Sequence, residues 1–401
     1  MRSSPDELAI FGGAPAFEEP RHVGAPNLGN RERLLERIGA AYDRRWLTNE
    51  GPLVKEFERR VADVSGVEHC VAVSSGTTGL QLLARALELT GEVIVPSFTF
   101  VATAHALAWL GLKPVFCEVD PDTHTLDPNM LPALVTPRTS AIVGVHLWGR
   151  PCEIDELGEF AANRRLALLF DAAHAIGCSY RGRSIGAFGD GSVFSFHATK
   201  VVNAAEGGAV TTNNDYLARR LRLLRNYAFV GYDTVIETGT NAKMSELSAA
   251  MGLTSLDAFE EFVAVNDRNY RRYRDELRDI PGISLMEYDS GERCNYQYVV
   301  AEIADDAHPD LIRDDLVSVL HAENVLARRY FYPGCHQLDP YRRTTPTSLP
   351  QTEDLASRVL VLPTGTAIGE DDIITICSIL KVVASNPAEI RRQLEGLAVP
   401  T

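Results

Sequence analysis

No apolar run in the sequence approaches the roughly 20 residues that a membrane-spanning helix needs. The N-terminus, MRSSPDELAIFGG, has no basic segment followed by a hydrophobic stretch. Both absences set the expectation of a soluble, cytoplasmic chain without a signal peptide. CxxC pairs are also missing. The seven cysteines, at 70, 117, 152, 178, 294, 335 and 377, are odd in number. Neither a closed disulfide framework nor a structural zinc site is expected, and no metal is assigned. Cys70, Cys117 and Cys178 lie in or beside apolar runs and read as small buried hydrophobes. Basic charge is in short supply, with 39 Lys and Arg against 54 Asp and Glu and a formal charge of −15. That balance opposes broad capture by nucleic acid or anionic membranes but leaves room for a local basic pocket. Repeats, low-complexity tracts and structureless linkers are absent as well.

What is present is a 401-residue chain with 45% apolar residues, enough for two lobes around a large core. From about residue 50 to 260, short β-rich runs alternate with helical patterns. Strands fit EVIVP at 92–96, KPVFCEV at 113–119, SAIVGVHLWG at 140–149, LALLFDAA at 166–173, GSVFSF at 191–196 and GGAVTT at 207–212. Helices fit Thr99 to Gly111 and a stretch near 155–165. This alternation predicts an α/β domain with a mostly parallel sheet. Residues 213–280 read as strongly helical, with solvated charged faces. After Pro281-Gly282 the texture changes, with a strand at 296–303 and helices at 310–323 and near 370–384. The expected organisation is an N-terminal arm and helix at 1–45, a large α/β domain at 46–260 and a smaller α+β domain at 261–401.

Four local features carry chemistry. In VAVSSGTTGLQLLARAL, residues 71–87, a strand runs through a small-residue turn into an amphipathic helix. Such a turn presents backbone N–H groups at the positive end of the helix dipole, which suits a phosphate or an ordinary N-cap. It matches neither GxxxxGK[ST] nor GxGxxG. In LALLFDAAHAIG, Asp171 stands at the end of an apolar strand, where open parallel sheets place ligands and where an Asp also caps helices. His174 follows three residues later. In SVFSFHATKVVNAAEGGAV, Lys200 is the only lysine between Lys113 and Lys243. A lysine in so apolar a setting either snorkels to solvent or is chemically used, since desolvation lowers its pKa and frees a neutral amine for Schiff-base chemistry. The fourth, GTNAKMSELSAAMGLTSLDAF at 239–259, is a polar turn entering a small-residue helix.

Taken together with PSFTFVATAHA and VHLWGRP, these motifs resemble, in order and over about residues 8–385, the DegT/DnrJ/EryC1/StrS family of sugar aminotransferases. That family has the fold-type I architecture of pyridoxal phosphate enzymes, like aspartate aminotransferase, with a mostly parallel sheet in the large domain. The resemblance implies that Lys200 forms the Schiff base with pyridoxal 5'-phosphate and that Asp171 pairs with the pyridine nitrogen. It places the phosphate cup on Gly76, Thr77 and Thr78 with the Ser195 hydroxyl, and an aromatic stacking partner at Phe100. It implies that Asn241 reaches the phosphate from a neighbouring subunit, hence a homodimer with shared active sites. His174 stands where many members carry Gln and is taken as a cofactor contact. Pyridoxamine 5'-phosphate would be the intermediate form of the cofactor. A lysine rather than histidine at 200 favours transamination over the dehydration catalysed by related sugar 3-dehydratases.

Further stretches, among them FGGAPAF at 11–17, RRWLTNEGPLVKEFE at 44–58 and YFYPGCHQLDPYR at 330–342, resemble 4-aminotransferases acting on dTDP-4-keto-6-deoxy-D-glucose in actinobacterial deoxysugar and antibiotic pathways. L-glutamate is the implied donor. Lys243, the pairs Arg328-Arg329 and Arg342-Arg343, and the tyrosines Tyr330 and Tyr332 are candidates for the nucleotide sugar, each with an ordinary surface or packing role as the alternative. Rival readings are amination at C3, a UDP- or GDP-linked keto sugar, a non-catalytic relative and a cysteine desulfurase on the same scaffold.

Overall fold

Each β-rich run between residues 69 and 212 becomes a strand of one sheet. In the computed structural model, which describes residues 1–304, 307–344 and 346–397, these are β1 (His69–Val73), β2 (Glu92–Pro96), β3 (Lys113–Cys117), β4 (Thr139–Val145), β5 (Ala167–Asp171), β6 (Gly191–Ser195) and β7 (Gly208–Thr212). The spatial order is β1-β7-β6-β5-β4-β2-β3. Only β7 runs antiparallel to its neighbours; the other pairs are parallel.

Alternation along β1 shows why helices must cover both faces. Cys70 and Ala72 join the core cluster of Phe57 and Val61, from the helix Pro52–Ser65. Val71 and Val73 join Leu80 and Leu83, from the helix Gly76–Ala86. Successive side chains point to opposite faces, and both faces are apolar, as a sheet sandwiched between helices requires. β1 lies at the sheet edge, where unpaired backbone groups would be exposed. Glu58 accepts the Ala72 N–H at 2.8 Å, Arg225 Nη1 donates to the Ala72 carbonyl at 2.7 Å, and Ser74 N–H reaches the Ala242 carbonyl at 2.9 Å. Side chains and a crossing loop thus finish that edge.

The stretch 213–280 is less helical than its charge pattern predicts. Helices occupy Asp215–Arg225, Glu246–Asp257 and Phe259–Leu277, but 226–245 is an irregular loop. Its sequence, NYAFVGYDTVIETGTNAKMS, mixes glycines with β-branched residues, and Tyr227 and Ala228 take left-handed φ of 56° and 58°. Local backbone bonds, such as Tyr227 N–H to the Thr240 carbonyl at 3.1 Å, replace helical ones.

A second, three-stranded antiparallel sheet orders β8 (Ile283–Leu285), β9 (Val299–Ile303) and β10 (Val359–Leu362). The strand expected at 296–303 starts only at Val299, because Tyr296 takes a φ of 48°. Helices Arg313–Ala322 and Glu370–Ser385 pack beside it, and a helix not expected from the sequence, Pro387–Leu397, follows. The N-terminal arm packs here: Leu8, Ile10 and Phe17 enter this core. Buried Glu323 accepts the Ala9 and Ala16 N–H groups, both at 2.7 Å. Among the described residues no single helix is long and apolar enough to cross a membrane.

A candidate active site at the strand ends

Three strand ends meet at one cavity. After β1, Ser75 adopts an extended backbone and caps the helix Gly76–Ala86, its Oγ accepting the Thr78 N–H at 3.1 Å. The next N–H groups available are those of Gly76 and Thr77, which have no acceptor within the helix. Close packing demands glycine opposite them. A Cβ on Gly208 would fall 2.5 Å from the Ser75 carbonyl carbon, and one on Gly76 would meet Ser195 Cβ at 3.1 Å.

At the end of β5, the Asp171 carboxylate is buried. Its Oδ2 accepts the Thr103 hydroxyl at 2.8 Å and its Oδ1 the Ala173 N–H at 3.1 Å. Burial raises its pKa, opposed by those two bonds and by the charge of Lys200. Lys200 closes the turn His197–Lys200 after β6. Burial pulls its pKa down from the ordinary lysine value to about 8, although Asp171 and Tyr330 act in the opposite sense. A neutral fraction of roughly a tenth therefore exists at pH 7, far more than an exposed lysine has.

His174 is buried against Trp148 and Phe331, with ring centroids at 6.1 and 6.2 Å and planes within 20° and 15°. Its Nδ1 accepts the Trp148 N–H at 3.2 Å, and burial holds its pKa well below the usual histidine range. It is a neutral imidazole.

The cavity between these groups measures about 370 Å³ and brings together Gly76, Thr77, Phe100, Asp171, His174, Ser195 and Lys200. Of the other expected site residues, Tyr330 also lines this cavity and the rest lie elsewhere. Thr78 faces the cap, its hydroxyl 3.0 Å from Ser74 Oγ. Arg329 and Tyr332 line an adjoining cavity of about 450 Å³ that shares Phe100, Tyr330 and Phe331 with the first. Asn241 and Lys243 sit on the 226–245 loop, outside both cavities; Lys243 donates to Asn226 Oδ1 at 2.9 Å. Arg342 is paired with Asp339 and lines neither cavity.

Three further site residues are not singled out by the sequence. Tyr298, just ahead of β9, places its Oη 3.2 Å from Lys200 Nζ. Thr103 and Trp148 fall inside PSFTFVATAHA and VHLWGRP, but only the fold shows that one bonds Asp171 and the other stacks on His174.

Pyridoxal phosphate fits this donor set. Two free N–H groups at a helix start and the Ser195 hydroxyl suit a phosphate. A buried carboxylate with spare acceptor capacity suits a protonated ring nitrogen, and a desolvated amine suits an aldehyde. A base held partly neutral beside a buried acid, at the strand ends of a mostly parallel sheet, is what a fold-type I pyridoxal phosphate enzyme needs, and this chain has that architecture. Comparison with known proteins narrows the class: the chain belongs to the DegT/DnrJ/EryC1/StrS aminotransferase family, which it matches over residues 29–381. It is 34% identical to the dTDP-4-amino-4,6-dideoxy-D-glucose transaminase of Shigella dysenteriae over 92% of this chain and 100% of that protein. It is 34% identical to the GDP-perosamine synthase of Caulobacter vibrioides, covering 90% of this chain and 97% of that one. The solved structure of DesI in the presence of its TDP-sugar product superposes with a TM-score of 0.94, at 54% identity over 97% of this chain and 99% of that one. The protein is a pyridoxal phosphate-dependent sugar aminotransferase.

Proposed function

We propose that the enzyme transfers the amino group of L-glutamate to dTDP-4-keto-6-deoxy-D-glucose, giving dTDP-4-amino-4,6-dideoxy-D-glucose and 2-oxoglutarate, in deoxyaminosugar biosynthesis of the kind that supplies antibiotic glycosides. The observation that carries this reading is the similarity, at 54% identity over nearly the whole chain, to a structure obtained with a TDP-sugar product. The 34% identity to a GDP-perosamine synthase keeps a GDP-linked substrate as the rival.

Bound pyridoxal phosphate supplies an electron-withdrawing ring that holds the amino group between the two half-reactions. In this reading Asp171 offers the anionic partner for the ring nitrogen. The Gly76 and Thr77 N–H groups and the Ser195 hydroxyl hold the phosphate, with Thr78 holding Ser75 in its capping position. Phe100 and His174 wall the ring. Lys200 moves protons: its Nζ takes one from the donor α-carbon in the first half-reaction and delivers one to the sugar carbon in the second. Ping-pong kinetics follows.

The homodimer belongs to the same proposal. Asn241 is exposed on a loop that also exposes Tyr227, Phe229 and Tyr232, and such a loop suits contact with a second copy, where Asn241 would reach the other site's phosphate. Lys243 and Arg342 line neither cavity and are the weaker substrate contacts. Arg329 and Tyr332, in the adjoining cavity, are the stronger ones for a diphosphate-linked sugar. A desulfurase would need an exposed thiolate. All seven cysteines are buried, and burial raises the pKa of the Cys335 thiol beside the cavity to about 12.

The test is incubation of purified enzyme with glutamate and a panel of keto sugars, locating the new amine by NMR. A 4-amino dTDP sugar is expected. Amination at C3, preference for a UDP or GDP sugar, or sulfide release from cysteine would overturn the assignment.

A further inference from the structure

The proton positions around His174 are fixed by its partners. The Trp148 main-chain N–H can only donate, so the His174 Nδ1 it meets at 3.2 Å is the bare nitrogen. In a neutral imidazole the proton then sits on Nε2. That N–H points at Tyr298 Oη, 3.3 Å away. The phenol oxygen therefore receives one hydrogen bond from His174 while lying 3.2 Å from Lys200 Nζ. Tyr298 itself is held rigidly. Its ring meets Trp148 edge-on at 5.3 Å, and Tyr288 Oη bridges its carbonyl at 2.9 Å and the Trp148 carbonyl at 3.2 Å.

We propose that Tyr298 is a positioning residue for the catalytic lysine: its phenol oxygen, oriented by His174, holds the Lys200 amine at the cavity wall whenever that amine is not bonded to the cofactor. The reaction needs this amine released, close by and ready to take a proton, yet a four-carbon side chain otherwise samples many rotamers. Tyr298 stands ahead of β9 in the smaller sheet, whereas His174 and Lys200 follow β5 and β6 of the larger one. The contact therefore also ties the lysine's position to the packing of the second sheet against the first.

The titratable groups that line the cavity with Lys200 are His146 just after β4, Asp171 and His174 at and after the end of β5, Tyr298, Tyr330, and His197 and Glu206 beside its own turn; burial keeps His146 neutral. Only Asp171 and Glu206 bring negative charge, and Glu206 is turned toward His197, 3.7 Å away. When Lys200 is protonated it donates to Tyr298 Oη, so the phenol favours the charged form, and the His174 bond, by occupying one lone pair, limits that preference.

Opposite shifts follow for two variants, and they test the proposal. The pH midpoint of Lys200 reactivity is read in apoprotein by the rate of absorbance change on adding pyridoxal phosphate. Y298F should lower the midpoint by about half a unit to one unit. In the holoenzyme it should cut kcat by about 10-fold to 100-fold, with KM for glutamate within about threefold. H174L, which frees the lone pair, should raise the apoprotein midpoint. It also serves should Y298F fail to fold. Midpoints unchanged in whichever variants fold, or a loss confined to KM, would overturn the proposal. The inference rests on Lys200 being the cofactor lysine. Borohydride trapping with peptide mapping checks that separately, and neither experiment involves the sugar.

Discussion

Lys200 and Arg225 are both buried bases, and the chain treats them in opposite ways. Arg225 is 1% exposed, with Nη1 at 2.6 Å from Glu58 and Nη2 at 2.6 Å from Glu50. Burial alone would lower its pKa, but the two carboxylates outweigh that and leave it above the ordinary arginine value. Among the described residues no carboxylate lies within ion-pair distance of Lys200, and its acid, Asp171, is bonded to Thr103 and the Ala173 N–H instead. One base is held charged and finishes a sheet edge. The other is held partly neutral and can react. The difference lies in the partners, because both sites are desolvated.

The comparison breaks most visibly at Lys200. Lys200→Ala should reduce turnover by at least about 10⁴-fold and remove the visible absorbance of the lysine-bound cofactor. Turnover within tenfold of wild type would refute its role. Asp171→Asn should come next, lowering kcat by about 10²- to 10³-fold through loss of the proposed ring-nitrogen partner. Removing that anion also removes a charge favouring protonated Lys200. The pH midpoint of lysine reactivity, near 8 in the parent, should therefore move down. An upward movement would contradict the electrostatics described above. Arg225→Met, on the other side of the comparison, should leave the cofactor chemistry intact but destabilise the fold by about 3 kcal/mol, seen as a lower urea midpoint. It strands Glu58 and the Ala72 carbonyl. Glu50 is half exposed and adds little to this loss.

The reactive side of this comparison was far more legible in the sequence than the structural side. Asp171 ends an unbroken apolar run, Lys200 follows the strand run GSVFSF by a short polar turn, and the helix start at Gly76 follows a strand almost directly. Those features are local, so pattern and motif order suffice for them. Arg225 lies in LRLLRN, a stretch whose charges read as a solvated helix face. Nothing local tells that residue 225 turns inward while its neighbours do not, because its partners are 167 and 175 residues away. Tyr298 fails for the same reason: its bond to Lys200 spans 98 residues. The 226–245 loop misleads differently: it lies between two strongly charged helical stretches, and its glycines and left-handed backbone interrupt the helix there.

The smallest expected effect sharpens the comparison furthest, since it has the opposite sign at the two bases. Lys200 in the folded chain has its pKa lowered to about 8, below the ordinary lysine value. Between those two values the unfolded chain binds more protons than the folded one, so stability rises with pH across that window. Below about pH 8 the whole cost of burying the amine is present; above the ordinary lysine value it is gone. Lys200→Met keeps the apolar stem and removes the ionisable group. The apoprotein of that variant should be more stable than its parent at pH 7, by about 1 kcal/mol. Part of the gain is offset because Asp171 loses a nearby cation. The advantage should shrink toward zero as pH rises past 10, whereas the loss from Arg225→Met should stay constant over the same range, arginine remaining charged throughout. Urea titrations of both apoprotein variants at pH 7 and pH 10 measure this directly. A Lys200→Met variant less stable than its parent at pH 7 would mean that the lysine is better compensated in the folded chain than its partners indicate.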